Sequence, residues 1–227
     1  MITIMARLLR YTPGNFVYHV INRGVRKMKL FETDSDYRAF EDVIEETWAM
    51  CNMRICSYSL MPNHWHLVLW PEKDGDLQNF MHRLTTTHAA RWQNFRNLSG
   101  VGHIYQGRYK SFPIEGDMHF YNVVRYVECN ALRAKLVDRA EEWKWSSIWR
   151  RLNGNIRQKQ ILSSWPELEP KDWIEYLNNP ISMEELNMIK TCEARGRPYG
   201  SKNWVEKIAK ALDLVSSLRS IGRPKIL

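Results

Sequence analysis

No stretch of this chain approaches the roughly 18 consecutive apolar residues that a membrane-spanning helix needs. It also lacks any Cys-x-x-Cys pair. Cys51, Cys56, Cys129 and Cys192 are irregularly spaced, which argues against a zinc knuckle or a disulfide framework and suits small buried hydrophobes in a reducing compartment. There is no low-complexity tract, and no internal repeat beyond two short Gly-Arg-Pro elements. The opening Met1–Arg10 is broken by Arg7 too early to hold a signal-peptide core. The expected location is therefore the cytoplasm. Acidic residues are missing where it matters most: residues 1–31 carry Arg7, Arg10, Arg23, Arg26, Lys27 and Lys29 without one acid. Residues 77–114 carry Arg83, Arg91, Arg96, Arg108 and Lys110, again without one. In 195–227 eight basic side chains stand against Glu206 and Asp213.

What is present follows from those gaps. The 227 residues have a net charge of +8, 44% hydrophobic and 12% aromatic content, which is the make-up of a folded domain and not of a disordered tail. Acid-poor blocks separated by balanced stretches suit a polyanion bound along a track.

Periodicity places the elements. Phe16–Asn22 reads as a strand after the breaker pair Pro13-Gly14, and 23–27 as a basic loop. Thr33 or Asp34 can cap a helix to Met50 that buries Tyr37, Phe40, Val43, Ile44 and Thr47. Strands follow at Arg54–Leu60 and His64–Trp70, then a helix from Gly75-Asp76 to Phe95, an extended segment Ile104–Ile114, and a helix Met118–Asn130 capped by Asp117. This order predicts an α+β fold: a ferredoxin-like (RRM-like) antiparallel sheet with helices packed on one face. Residues 1–150 are read as the core domain. Residues 151–227 are read as a smaller, helical, basic C-terminal appendage, with helices at Ser182–Thr191 and Lys202–Leu218. The second of these presents Trp204, Ile208, Ala211, Leu212 and Val215 on one face.

Within the second hairpin strand lies Met61-Pro62-Asn63-His64-Trp65-His66. Strand side chains alternate, so His64 and His66 share a face. Two neutral imidazoles can hold a divalent cation, or can form a hydrogen-bonded core pair. On the helix 118–130, Tyr126 and Asn130 are four residues apart and so share a face. Asn130 can offer its amide oxygen as a third ligand, and Tyr126 a phenol nucleophile; a core tyrosine is the other reading. His19 is expected to be a structural, hydrogen-bonded histidine. Tyr105, Tyr109 and Phe112 suit either base stacking or core packing. Arg195-Gly196-Arg197-Pro198 matches an AT-hook core, with Gly222-Arg223-Pro224-Lys225 as a weaker echo; a helix stop followed by a turn explains it as well.

Over roughly residues 14–150 these blocks resemble the single-tyrosine HUH transposases, specifically the REP-associated tyrosine transposases. The carriers are Tyr18-His19-Val20-Ile21-Asn22-Arg23-Gly24, Met61–His66, Tyr105-Gln106-Gly107-Arg108-Tyr109-Lys110 and Arg125–Asn130. Asn130-Ala131-Leu132-Arg133-Ala134 departs from the Asn-Pro-Val-Arg-Ala of many relatives. The resemblance implies an endonuclease and strand transferase using Mg2+ or Mn2+ on His64 and His66, with Asn130 as a further ligand. Tyr126 would attack single-stranded hairpin DNA of repetitive extragenic palindromes, leaving a 5′-phosphotyrosine and a free 3′-hydroxyl. Arg23, Arg26, Lys27, Lys29, Arg108 and Lys110, with Arg195 and Arg197 in the appendage, are the expected DNA contacts, and a monomer the expected state. Two other readings stay open: a non-catalytic DNA-binding regulator on the same fold, and a metal-independent ferredoxin-like endoribonuclease.

Overall fold

The computed structural model describes residues 11–100 and 102–219. The first ten residues and the Gly222–Lys225 echo lie outside them. The elements run β1 (Val17–Arg23), α1 (Asp34–Met50), β2 (Met53–Met61), β3 (His64–Pro71), α2 (Asp76–Phe95), β4 (Lys110–Ile114) and α3 (Met118–Glu128). Then come α4 (Asn130–Arg133), α5 (Ser147–Asn153), α6 (Ile156–Gln160), α7 (Trp173–Asn178), α8 (Met183–Arg195) and α9 (Lys202–Ala211). Among the described residues no helix is long and apolar enough to cross a membrane.

The four strands form one antiparallel sheet in the order β2-β3-β1-β4, which is the ferredoxin-like arrangement. Even-numbered β1 residues face one way, with Tyr18 and Val20 beside Trp65, Leu67 and Leu69 in a first core under α1 and α2. Helix α1 contributes Tyr37, Phe40, Val43 and Ile44, as its period requires; α2 contributes Leu77, Phe80, Met81 and Leu84. The start of α1 is held by Asp36, whose carboxylate accepts from the Thr33 backbone N–H at 3.0 Å.

The helices do not all lie on one face. Val17, Val68, Phe112 and Ile114 point the other way, into a second core with Phe120, Val123, Val124 and Val127 of α3. Strands β1 and β3 are buried on both sides; the second face mixes apolar residues such as Val17 and Val68 with histidines, and α3 covers it. A bulge between Ile55 and Ser57 lets β2 serve both cores. It resets the alternation, so that Ile55 and Tyr58 both enter the first core while Cys56 enters the second.

Residues beyond 150 extend that second core: Trp173 and Leu177 of α7 and Ile189 and Cys192 of α8 pack with α3. Buried Glu128 ties them together, accepting from the Ser147 hydroxyl at 2.6 Å and the Trp173 indole at 2.9 Å. The buried face of α9 is Val205, Ile208 and Ala209, with Leu212 just past its end. It is displaced from the expected stripe: Val215 is exposed and the helix ends at Ala211. All four cysteines are free.

Candidate active site

The site forms where the face carrying the odd-numbered residues of β1 and the even-numbered residues of β3 meets α3. Ile21 pairs with His66 and Arg23 with His64. The register therefore puts both histidines, Arg23 and, across β1 from His66, Lys110 at neighbouring positions of one face. The His64 and His66 rings lie 5.0 Å apart between centroids. The Tyr126 ring meets His66 edge-on at 5.7 Å, so α3 brings the tyrosine to the pair across 60 residues of chain.

Hydrogen bonds orient the rings. Asn63 Oδ1 lies 2.6 Å from His64 Nδ1. An amide oxygen can only accept, so Nδ1 carries the proton and Nε2 the lone pair. His66 Nδ1 lies 2.8 Å from Nε2 of His19, leaving the Nε2 of His66 as its other ring nitrogen. His19 is buried, and its Nδ1 has no partner among the described residues. It thus takes the structural, hydrogen-bonded role expected of it, directed at His66.

The electrostatics keep the pair neutral. Burial, with the Arg23 and Arg133 guanidinium groups nearby, pushes His64 down to about 4. Burial, then His19, His64, Arg133 and Arg23, hold His66 well below the ordinary imidazole range. Neutral imidazoles hydrogen-bonded through one ring nitrogen are the donor set a divalent cation takes, so these residues fit the ion. Two ligands are not a closed cage. Among the described residues no three His, Cys, Asp or Glu side chains are grouped to hold a metal.

Asn130 is reached indirectly. Helix α3 ends at Glu128, and Asn130 opens the short α4. The expected unbroken helix to Asn130 is interrupted at Cys129, whose thiol bonds the Arg125 carbonyl at 2.6 Å. Arg133 bridges the break: it donates to the Tyr126 carbonyl at 2.6 Å and to Asn130 Oδ1 at 3.2 Å. Its guanidinium also lies 4.2 Å from the centre of the Tyr126 ring. Asn130 Nδ2 is buried without a partner among the described residues. The Tyr126 hydroxyl donates to Glu193 Oε2 at 3.1 Å. Burial first, and then the Glu193 carboxylate, raise the phenol's pKa.

The chain matches the family model described as "Transposase IS200 like" over residues 13–130, more than half its 227 residues. It belongs to the IS200-like transposase family. The family match ends at Asn130 and so spans the histidine pair and Tyr126, but not Arg133 or Glu193. A solved REP-associated tyrosine transposase bound to a REP hairpin aligns with TM-score 0.53 and 18% identity, covering 74% of this chain and 96% of that one. At that identity the likeness is one of fold. A second structure, of a Deinococcus radiodurans R1 protein described as a transposase, gives TM-score 0.39 and 16% identity over 55% of this chain and 93% of that one, too weak to support an argument. No curated protein matches the chain.

The basic residues divide by exposure. Arg26, Lys27, Lys29, Arg108 and Lys110 are exposed, and Arg23 is half-buried beside His64. Tyr105, Tyr109 and Phe112 are buried core residues, because each points inward from its segment; Tyr105 bonds His88 Nδ1 at 2.6 Å. Arg195-Gly196-Arg197-Pro198 has helix-stop geometry. Gly196 is left-handed at φ 68° and its N–H bonds the Cys192 carbonyl, while half-buried Arg195 donates to the Ser217 carbonyl at 2.8 Å. The extended form that a minor-groove hook requires is not the one adopted. Asn63, Arg133 and Glu193 were not singled out from the sequence. The spacing of Arg133, seven after Tyr126 and three after Asn130, was a usable signal. Glu193 had none.

Proposed function

We propose that this transposase-family chain is a divalent-metal-dependent endonuclease and strand transferase acting on single-stranded hairpin DNA of the palindromic, REP type. The observation that carries this reading is the Tyr126 ring standing against His66, 5.7 Å between centroids, beside a second histidine on the same strand face. Core packing alone does not call for a tyrosine ring set edge-on against a buried neutral imidazole with a guanidinium over its face.

His64 and His66 would hold Mg2+ or Mn2+ through Nε2, with Asn130 Oδ1, already shared with Arg133, as a third ligand. The bound cation would polarise the scissile phosphate. Tyr126 Oη attacks phosphorus, leaving a 5′-phosphotyrosine and a 3′-hydroxyl. That hydroxyl can reverse the step, so rejoining needs no nucleotide cofactor. Arg23 and Arg133 present positive charge to the phosphate where charge develops. Arg26, Lys27, Lys29, Arg108 and Lys110 position the DNA through its backbone. Arg195 and Arg197 add auxiliary contacts from the 151–227 extension, which docks on the 1–150 nuclease domain. The chain acts as a monomer in the cytoplasm, with Tyr126 reaching the histidines of its own chain.

Incubation with a labelled hairpin oligonucleotide bearing a single-stranded foot, plus Mg2+ or Mn2+, tests this. A covalent protein–DNA band on a denaturing gel is expected, absent in Tyr126→Phe and in EDTA. Cleavage that survives Tyr126→Phe, or that occurs only on RNA, overturns it.

A further inference from the structure

We propose that Glu193 is the proton acceptor for Tyr126, so that the C-terminal half of the chain completes the catalytic site; this rests on the tyrosine reading above. Glu193 sits on α8, 63 residues beyond the end of the family match. Its Oε2 is 3.1 Å from the Tyr126 hydroxyl, which donates to it. That is within reach for direct proton transfer. Helix α8 is held in place by Ile189 and Cys192 in the second core and by the Gly196 stop, so the carboxylate is delivered by a rigid element.

The surroundings favour this role over a packing contact. Arg23 of β1, Lys110 of β4 and Arg133 of α4 all act on Glu193 electrostatically. Yet among the described residues it forms no ion pair, and the phenol is its hydrogen-bond partner. Burial raises the Glu193 pKa, with the phenol hydrogen bond and the three cations pulling it back. The His19 and His66 rings pack edge-on against Tyr126. A phenol is a weak nucleophile until a base receives its proton. A carboxylate of increased basicity does so more readily than an exposed one.

The step balances. The Tyr126 Oη–phosphorus bond forms as the phosphorus–O3′ bond breaks. The phenol proton passes to Glu193 Oε2. The electron pair of the broken bond leaves on O3′, which takes a proton from water.

The test follows covalent-adduct formation by the full-length protein under single-turnover conditions, with hairpin DNA and Mn2+, from pH 6 to pH 9. Glu193→Gln keeps the volume and a hydrogen bond but cannot take the proton. It should slow the step about 100-fold while leaving DNA affinity by fluorescence anisotropy within about twofold. Its rate should climb with pH more steeply than that of the native protein, since hydroxide replaces the missing base. Glu193→Asp should recover part of the loss. Circular dichroism checks the fold of each variant, and the near-isosteric glutamine decides should Glu193→Ala unfold. A Glu193→Gln rate close to native overturns the proposal. So does a Glu193→Ala rate above native, which would make the contact a latch. If the native protein forms an adduct that Tyr126→Phe abolishes, only the assignment of Glu193 falls in those cases. If the native protein forms no adduct at all, the tyrosine reading falls with it.

Discussion

The Nε2 atom of His19 lies 2.8 Å from Nδ1 of His66, and both rings are fully enclosed. His19 therefore sets the orientation of the ring that packs edge-on against Tyr126. Such outer partners commonly contribute about 10–100-fold in metal affinity. His19→Phe should weaken Mn2+ binding by about that factor, read by isothermal titration calorimetry or by the Mn2+ electron paramagnetic resonance signal. Unchanged affinity would show that His66 needs no such support.

Arg133 holds the Tyr126 carbonyl, the Asn130 amide oxygen and the Tyr126 ring with one planar group. Lysine cannot reproduce that fork. Arg133→Lys and Arg133→Ala should both slow adduct formation by about 10- to 100-fold, the size expected for losing charge-assisted hydrogen bonds of about 1.5–3 kcal/mol. Quantified gel time courses check this, and a lysine variant at the native rate would refute it.

His88 is buried and pushed down to about 3, chiefly by desolvation and then by Arg96. In the unfolded chain it titrates near its ordinary value of about 6.5. Between those values the unfolded state binds more protons than the folded one. Stability is therefore whole above about pH 6.5 and is lost as pH falls toward 3. The melting temperature should drop from pH 7 to pH 5, and His88→Phe should make that drop smaller. An equally steep acid loss in His88→Phe would assign the effect elsewhere.

Glu128 accepts from Ser57, Ser147 and Trp173 in a fully buried position. Glu128→Ala leaves the buried Trp173 indole unpaired and opens a cavity, so it should cost about 3 kcal/mol in urea unfolding. A loss below about 1 kcal/mol would mean the network relaxes around the gap.

Lys110 is exposed beside the site, on the strand next to β1. Lys110→Ala should weaken hairpin binding and reduce the slope of log affinity against log salt by about 1. An unchanged slope would remove it from the DNA track.

The two histidines on one strand face, the Tyr126 spacing and the βαββαβ order were all legible in the sequence, because period and alternation are local properties of the chain. Tyr37, Phe40, Val43, Ile44 and Thr47 of α1 are buried as expected for the same reason, with Asp36 buried besides. Local pattern cannot say which face of a doubly buried sheet a later helix will cover, so the position of α3 opposite α1 and α2 came only from the packed structure. The same limit hid the break at Cys129, which depends on side chains closing backbone groups around it. Sequence by itself placed His64 and His66 on one strand face and set Tyr126 four residues before Asn130. Only the tertiary structure decided what surrounds them: His19 behind His66, Arg133 across the Tyr126 ring, and Glu193 on its hydroxyl. Those partners lie 47, 7 and 67 residues away along the chain, and bringing His19 and Glu193 to hydrogen-bonding distance over such separations is the work of core packing, which no local pattern records.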